Sequence, residues 1–172
     1  MTKIDSIQEL RQLQIDILDT VHQFCQERGI TYFLSSGTLL GAVRHGGYIP
    51  WDDDIDLYMP RESYDRFVRE FVGVVPHLEV YATGKEGYFY TFAKVVDTRT
   101  KLVEDEFPDL SLGINIDIFP VDGVANAMWQ RKLEFKFKEF LVNWLRIRRK
   151  KERESKGFLR DLVANLFIKI PI

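Results

Sequence analysis

The reading turns on one stretch, Ser35–Asp56, SSGTLLGAVRHGGYIPWDDDID. Ser35-Ser36-Gly37-Thr38 turns the chain, Leu39–Arg44 is a short amphipathic run, and Gly46-Gly47 breaks it. Pro50-Trp51 then leads into Asp52, Asp53, Asp54 and Asp56. In front, Ile30–Leu34 is rich in β-formers and is predicted to be a strand. Behind, Asp54–Met59 alternates, with Asp54 and Asp56 on one face of a strand and Ile55 and Leu57 on the other. Two carboxylates held about 6–7 Å apart at the backbone repel unless a cation lies between them or one is protonated. Hard oxygen ligands suit Mg²⁺ or Mn²⁺. An acidic surface loop is the plainer reading of a bare D-x-D; here apolar Ile55 and Leu57 set the pair on a core strand. The turn has a matching use. A strand, a small-residue turn and a helix start aim backbone N–H groups and a helix dipole at an anion. Gly37 lets a phosphate approach, and Ser36 and Thr38 add hydroxyl donors; ordinary helix capping by the same residues is the alternative.

Working outward, Ser6 or Asp5 caps a first helix, with Glu9 as capping-box partner. Ile7, Leu10, Gln14, Ile17, Val21 and Phe24 recur at steps of three and four along one core-facing side, and Gly29 ends the helix. Pro60 opens another helix that carries Tyr64, Phe67, Val68 and Phe71. Leu78–Ala82, Tyr88–Val96 and Lys101–Glu104 are predicted strands, with a hairpin-like break at Gly84 and Gly87. Gly113–Phe119 alternates as a further strand, stopped by Pro120. Ala125–Arg153 is helical and very basic; Gly157 breaks it before a last amphipathic helix, Phe158–Ile168. This order predicts an α+β fold: a mixed β-sheet flanked by helices, with a helical C-terminal segment. The core spans 1–125, and a basic segment, 126–172, packs on it.

Composition narrows the function classes. A chain of 172 residues can bury a real core. Its lone cysteine, Cys25, excludes an intrachain disulfide and a thiolate metal site, which favours a reducing, cytoplasmic setting. The polar start MTKIDSIQEL is not a signal peptide, and no run of about 18 apolar residues suggests a membrane span. His22, His45 and His77 lack zinc-ligand spacing, and no nucleophile elbow occurs.

Further chemistry lies downstream. Asp117, between Ile116 and Ile118, is an acid among apolar neighbours, costly to bury alone. It could join Asp54 and Asp56 around a metal ion, accept a hydroxyl proton, or simply pair with Lys94 or Arg99. Phosphoryl transfer needs cations on the phosphate oxygens; Arg44 and Lys94 are the candidates, with ordinary salt bridging as the alternative for each.

Three separated segments carry a family resemblance: Leu34–Leu57, Phe92-Ala-Lys-Val-Val-Asp-Thr-Arg-Thr100, and Gly113-Ile-Asn-Ile-Asp-Ile-Phe-Pro-Val-Asp-Gly123. Together they resemble the LicD family, the phosphocholine transferases that decorate bacterial teichoic acid and lipopolysaccharide, related to the fukutin-type phosphosugar transferases. The resemblance implies a nucleotidyltransferase-type fold whose glycine turn, Gly37-Thr38, contacts phosphate. It implies Mg²⁺ held by Asp54, Asp56 and Asp117. The implied reaction moves phosphocholine or a similar substituted phosphate from a CDP-choline-like donor to a glycan hydroxyl, releasing CMP. Nucleotidyl transfer with release of pyrophosphate, and a non-catalytic nucleotide- or membrane-binding remnant, are the alternatives. Family members run beyond this length, and their C-terminal aromatic, proline and basic motifs are not found after Leu166, which implies either an incomplete acceptor or donor pocket or a truncated sequence.

Between Arg131 and Arg160 cations dominate, densest at Arg146, Arg148, Arg149, Lys150 and Lys151, with Phe135, Phe137, Phe140, Leu141 and Trp144 interleaved. This implies peripheral contact with the inner face of a membrane that presents a lipid-linked acceptor. Nucleic acid is not expected as a partner; a solvated helix with one core face is the plain alternative.

Overall fold

The computed structural model describes residues 6–88, 90–102, 112–124 and 126–153, with side chains as far as 144. The chain divides into two compact units, Met1–Asp122 and Gly123–Ile172.

In the first unit α1 (Ile7–Arg28) starts where the Ser6 hydroxyl accepts the Gln8 and Glu9 amides, and it stops at Gly29, left-handed at φ 61°. Its buried side is Gln14, Ile17, Val21, Phe24 and Cys25; the spacing expected from the sequence holds except at Ile7, which lies exposed on the first turn. α3 (Arg61–Glu70) follows Pro60 at its N-cap. Phe67 and Phe71 meet Phe24 at ring-centroid distances of 6.0 and 5.1 Å, which locks α3 to α1.

Five strands form one mixed sheet, in order β1-β2-β5-β4-β3: β1 (Phe33–Leu34), β2 (Asp56–Pro60), β3 (Leu78–Tyr81), β4 (Ala93–Asp97) and β5 (Asn115–Val121). Only β2 and β5 run parallel. Alternation turns Leu57, Met59, Ile116, Ile118, Ala93 and Val95 into one core with the buried sides of α1 and α3. The opposite face carries Asp56, Tyr58, Asp117, Phe119, Lys94 and Val96. The α+β class with a mixed sheet and a C-terminal helix is thus the observed one.

Several boundaries differ from those expected. α2 (Ser36–His45) begins at Ser36 rather than Leu39, so the small-residue turn is itself the first helical turn. β1 keeps two of the five expected residues. β2 begins at Asp56, leaving Asp54 in the approach to the strand. Strand β4 starts at Ala93, not Tyr88. Tyr88 and Tyr90 instead pack over the second face, where Tyr88 clusters with Val96 and Leu112 and donates its hydroxyl to the Phe92 carbonyl at 2.9 Å. Pro120 does not stop β5; it pairs with Met59 one residue before the strand's end, where a missing N–H costs little. Lys101 and Leu102 lie outside any strand, and the expected helix at 158–168 lies outside the described residues.

In the second unit α4 (Met128–Arg153) supplies the basic helix anticipated from the sequence.

Candidate functional site

The site assembles where the chain enters β2. Ser35 extends the sheet by donating its N–H to the Asp56 carbonyl at 3.0 Å, then caps α2. Its hydroxyl is buried and has no hydrogen-bond partner among the described residues. Ser36 holds φ 47°, the only positive value among described non-glycine residues. Such strain persists only where surroundings enforce it. The enforcing contacts are visible: Thr38 Oγ1 accepts the Asp56 amide at 2.9 Å, and the Ser36 hydroxyl bonds the Asp56 carboxylate. Thr38 and Ser36 therefore hold Asp56 in place, a role the sequence did not suggest. Gly37 admits a close approach, since a Cβ there would fall 2.5 Å from Asp52 Oδ2 and push that carboxylate aside. The first turn of α2 thus sits directly under a carboxylate.

Asp52, Asp53 and Asp54 can each place a carboxylate oxygen within 4.8 Å of the others. Asp56 follows, and β2–β5 register sets its Cα opposite that of Asp117. Lys94 stands opposite Asp117 on the other side. Partners across a ladder share a face, so Asp56, Asp117 and Lys94 form one row. Lys94 is buried, with Nζ 2.6 Å from Asp117 Oδ1 and 3.0 Å from Asn115 Oδ1. It is spent on Asp117 rather than extended toward solvent. Arg99 is not Asp117's partner; it clamps Asp97, with Nη2 2.6 Å from Oδ2. Arg44 is exposed near the far end of α2, eight residues from Ser36 or about 12 Å along the axis. It is not brought to the carboxylates.

Crowded acids show in their titration. Asp53 and Asp54 are exposed residues, yet the Asp54 carboxyl is raised to about 6, first by partial withdrawal from water and then by the charges of Asp56, Asp52 and Asp53. Asp56 is also raised, chiefly by desolvation, although its Ser36 bond and Lys94 act the other way. A set of carboxylate oxygens that repel one another is the donor set a hard divalent cation fits. A cavity of about 350 Å³ opens beside Asp53, Asp54 and Asp117, walled by Lys94, Asn115 and Gln14. Past Asp117 the face becomes aromatic: Phe119 packs on Phe92 at 4.3 Å with the rings tilted by 32° and meets Tyr58 edge-on at 6.1 Å.

Two residues that hold the acidic loop were missed at the sequence level. The Arg11 guanidinium donates to the carbonyls of Ile49, Pro50 and Asp52 at 3.0, 2.9 and 2.6 Å. It also lies 4.9 Å from the Tyr48 ring centroid. Gln14 donates to the Asp53 carbonyl at 2.9 Å and accepts the Tyr48 hydroxyl at 2.9 Å. A signal existed for Gln14, a polar residue within an otherwise apolar helix face; none pointed to Arg11.

These features, an acidic cluster against a helix N-terminus at a mixed sheet, accompany a clear relationship. A family model described as "LicD/FKTN/FKRP, nucleotidyltransferase domain" matches residues 29–150. The lipopolysaccharide cholinephosphotransferase LicD of Haemophilus influenzae is 33% identical over 176 residues, 96% of this chain and 65% of that protein. An uncharacterised Rickettsia typhi protein is 30% identical over 112 residues, 60% of this chain and 36% of its own. The human ribitol 5-phosphate transferase FKRP is 62% identical over 29 residues, 17% of this chain and 6% of its own. The chain belongs to the LicD family. It spans just under two thirds of the Haemophilus relative's length.

Proposed function

We propose that the chain catalyses metal-dependent transfer of a substituted phosphate, phosphocholine or a close analogue, from a CDP-linked donor to a glycan hydroxyl. The observation that carries this reading is the convergence of Asp52, Asp53, Asp54 and Asp56 on the first turn of α2. Asp54, Asp56 and Asp117 are the proposed ligands of Mg²⁺ or Mn²⁺, with Asp52 and Asp53 within reach of the same ion. Bound there, the cation supplies Lewis-acid stabilisation of charge on the diphosphate oxygens. The α2 amides and the Ser36 hydroxyl face the phosphates. The acceptor oxygen attacks the phosphorus that carries the headgroup; its bond to the CMP phosphate breaks, CMP leaves, and the hydroxyl proton passes to a carboxylate oxygen of Asp117. Lys94 fixes that carboxylate. Arg44 is not proposed as a phosphate ligand.

The test is CMP release from CDP-choline with a teichoic acid or lipopolysaccharide glycan acceptor. Asp56→Ala is expected to lower kcat at least about 100-fold, the range for losing transition-state charge stabilisation. Full activity in that variant removes the metal assignment. Pyrophosphate as product assigns nucleotidyl transfer instead, and calorimetric binding of CDP-choline without turnover assigns a non-catalytic module.

A further inference from the structure

α4 carries an amphipathic pattern that the proposed chemistry does not use. Trp129, Leu133, Phe137 and Phe140 follow at steps of four, four and three, with Trp144 four further on, so they fall on one side of the helix. That stripe is not a buried core face: the first four are 67%, 62%, 60% and 54% exposed. At 100° per residue Lys132 and Lys136 border the stripe on one side, and Arg131 and Lys138 lie on the far face together with Phe135 and Val142. The last turns of α4 add Arg146, Arg148, Arg149, Lys150 and Lys151. Residues 126–153 hold ten Lys and Arg against three Glu, in a chain whose net charge is −2.

We propose that α4 is a surface-lying membrane helix that docks on anionic lipid. At 26 residues it is about 39 Å long, yet no helix among the described residues is long and apolar enough to cross a bilayer. A helix with a large aromatic stripe, cations along its border and on its other faces, and low mean hydropathy lies in the interface plane instead. Lysines at the border keep their charge among headgroups while their stems line the apolar side. The charge selects anionic lipid, because each Lys or Arg near such a surface gains electrostatic free energy. Nucleic acid is disfavoured by the layout: it would need cations at the centre of the contact face, where α4 has Trp129, Leu133 and Phe137. This reading is independent of the catalytic one.

The test is co-sedimentation of the full chain with vesicles of phosphatidylcholine alone or with phosphatidylglycerol added. Binding to anionic vesicles only is expected. Trp129→Ser/Phe137→Ser and Lys132→Glu/Lys136→Glu should each weaken it at least tenfold, with the charge reversal losing most of its effect at high salt. Brominated lipid should quench wild-type tryptophan fluorescence, a readout that does not depend on any variant folding. The proposal is overturned by no retention on anionic vesicles, by no quenching, or by binding that survives the serine pair. It is equally overturned if the stripe variant abolishes self-association or duplex DNA binding while vesicles are never bound.

Discussion

Asp54 shows what the site demands of single residues. A carboxyl held at about 6 in the folded chain, against an ordinary value near 4, binds a proton that the unfolded chain has released over that window. Its contribution is therefore fully present below about pH 4 and lost as pH rises through about 6. Asp56, shifted in the same direction, adds to this. Asp97 and Glu79 are lowered, so their contributions fade only when pH falls below the usual carboxylate range. Between pH 4.5 and 7 the raised pair sets the sign. In chelator, thermal melting temperature should increase as pH is lowered across that range. Asp54→Asn should flatten the trend and raise the melting temperature at pH 7. Mg²⁺ or Mn²⁺ should stabilise the wild type at pH 7.5, by about 2.7 kcal/mol at one hundred times Kd, and distinctly less at pH 5.5, where protons compete. A cation effect that does not change with pH, or that Asp54→Asn retains in full, counts against the carboxylate site. The carboxylates themselves were legible in the sequence because D-x-D beside apolar residues is a local pattern. Lys94's engagement with Asp117 was legible only as one of two options, since which cation meets which acid depends on strand register. Replacing Lys94 with Met leaves Asp117 without its buried partner and should cost on the order of 3–5 kcal/mol in urea unfolding. Lys94→Met/Asp117→Asn together should cost less than Lys94→Met alone.

The elements divide the site between a platform and a clamp. β2 and β5 set Asp56 against Asp117, and α2 presents its first turn beneath Asp52. α1 then ties down the loop between them through Arg11 and Gln14. The two ends of the loop are thus held by different layers. Gly41 fits the same picture, since a Cβ there would strike the Gly47 carbonyl oxygen and pack α2 off the loop. Element types were readable from periodicity, because α1 and α3 bury one side and β2 and β5 alternate. Their ends were not. The segment 88–92 has strand composition, yet the rings of Tyr88 and Tyr90 are worth more packed with Val96 than extended in the ladder. Arg11 was invisible because its acceptors are carbonyls, which every residue has, lying about forty positions away. Arg11→Ala should cost about 1.5–3 kcal/mol, the scale for hydrogen bonds from a charged donor. Hydrogen exchange of residues 48–53 should speed up well before that of β5, and Mn²⁺ affinity should fall while Arg11→Lys retains part of it. Uniform acceleration across the first unit would mean that Arg11 supports the fold in general, not the loop.

At the scale of the whole molecule, among the described residues the main core cluster lies before residue 119 and the five strands end by Val121. Among the described residues the buried apolar core therefore lies in the first unit, and the excess of cationic over acidic residues lies in the second. A sheet with a filled core between itself and two helices needs nothing from α4 to bury its apolar face. A chain ending at Asp122 should unfold in one cooperative urea transition, with a midpoint close to that of the full protein. It should keep the Mg²⁺-dependent rise in melting temperature, because every acid of the site lies within it. It should also lose retention on anionic vesicles, because the helix with the exposed aromatic stripe is gone. The three readouts separate the assignments. Failure to fold would show that the second unit completes the core. Folding without a cation response would move the metal ligands beyond residue 122. Vesicle binding that persists would place the lipid surface on the sheet unit, where the exposed Tyr58 and Trp51 are the next candidates.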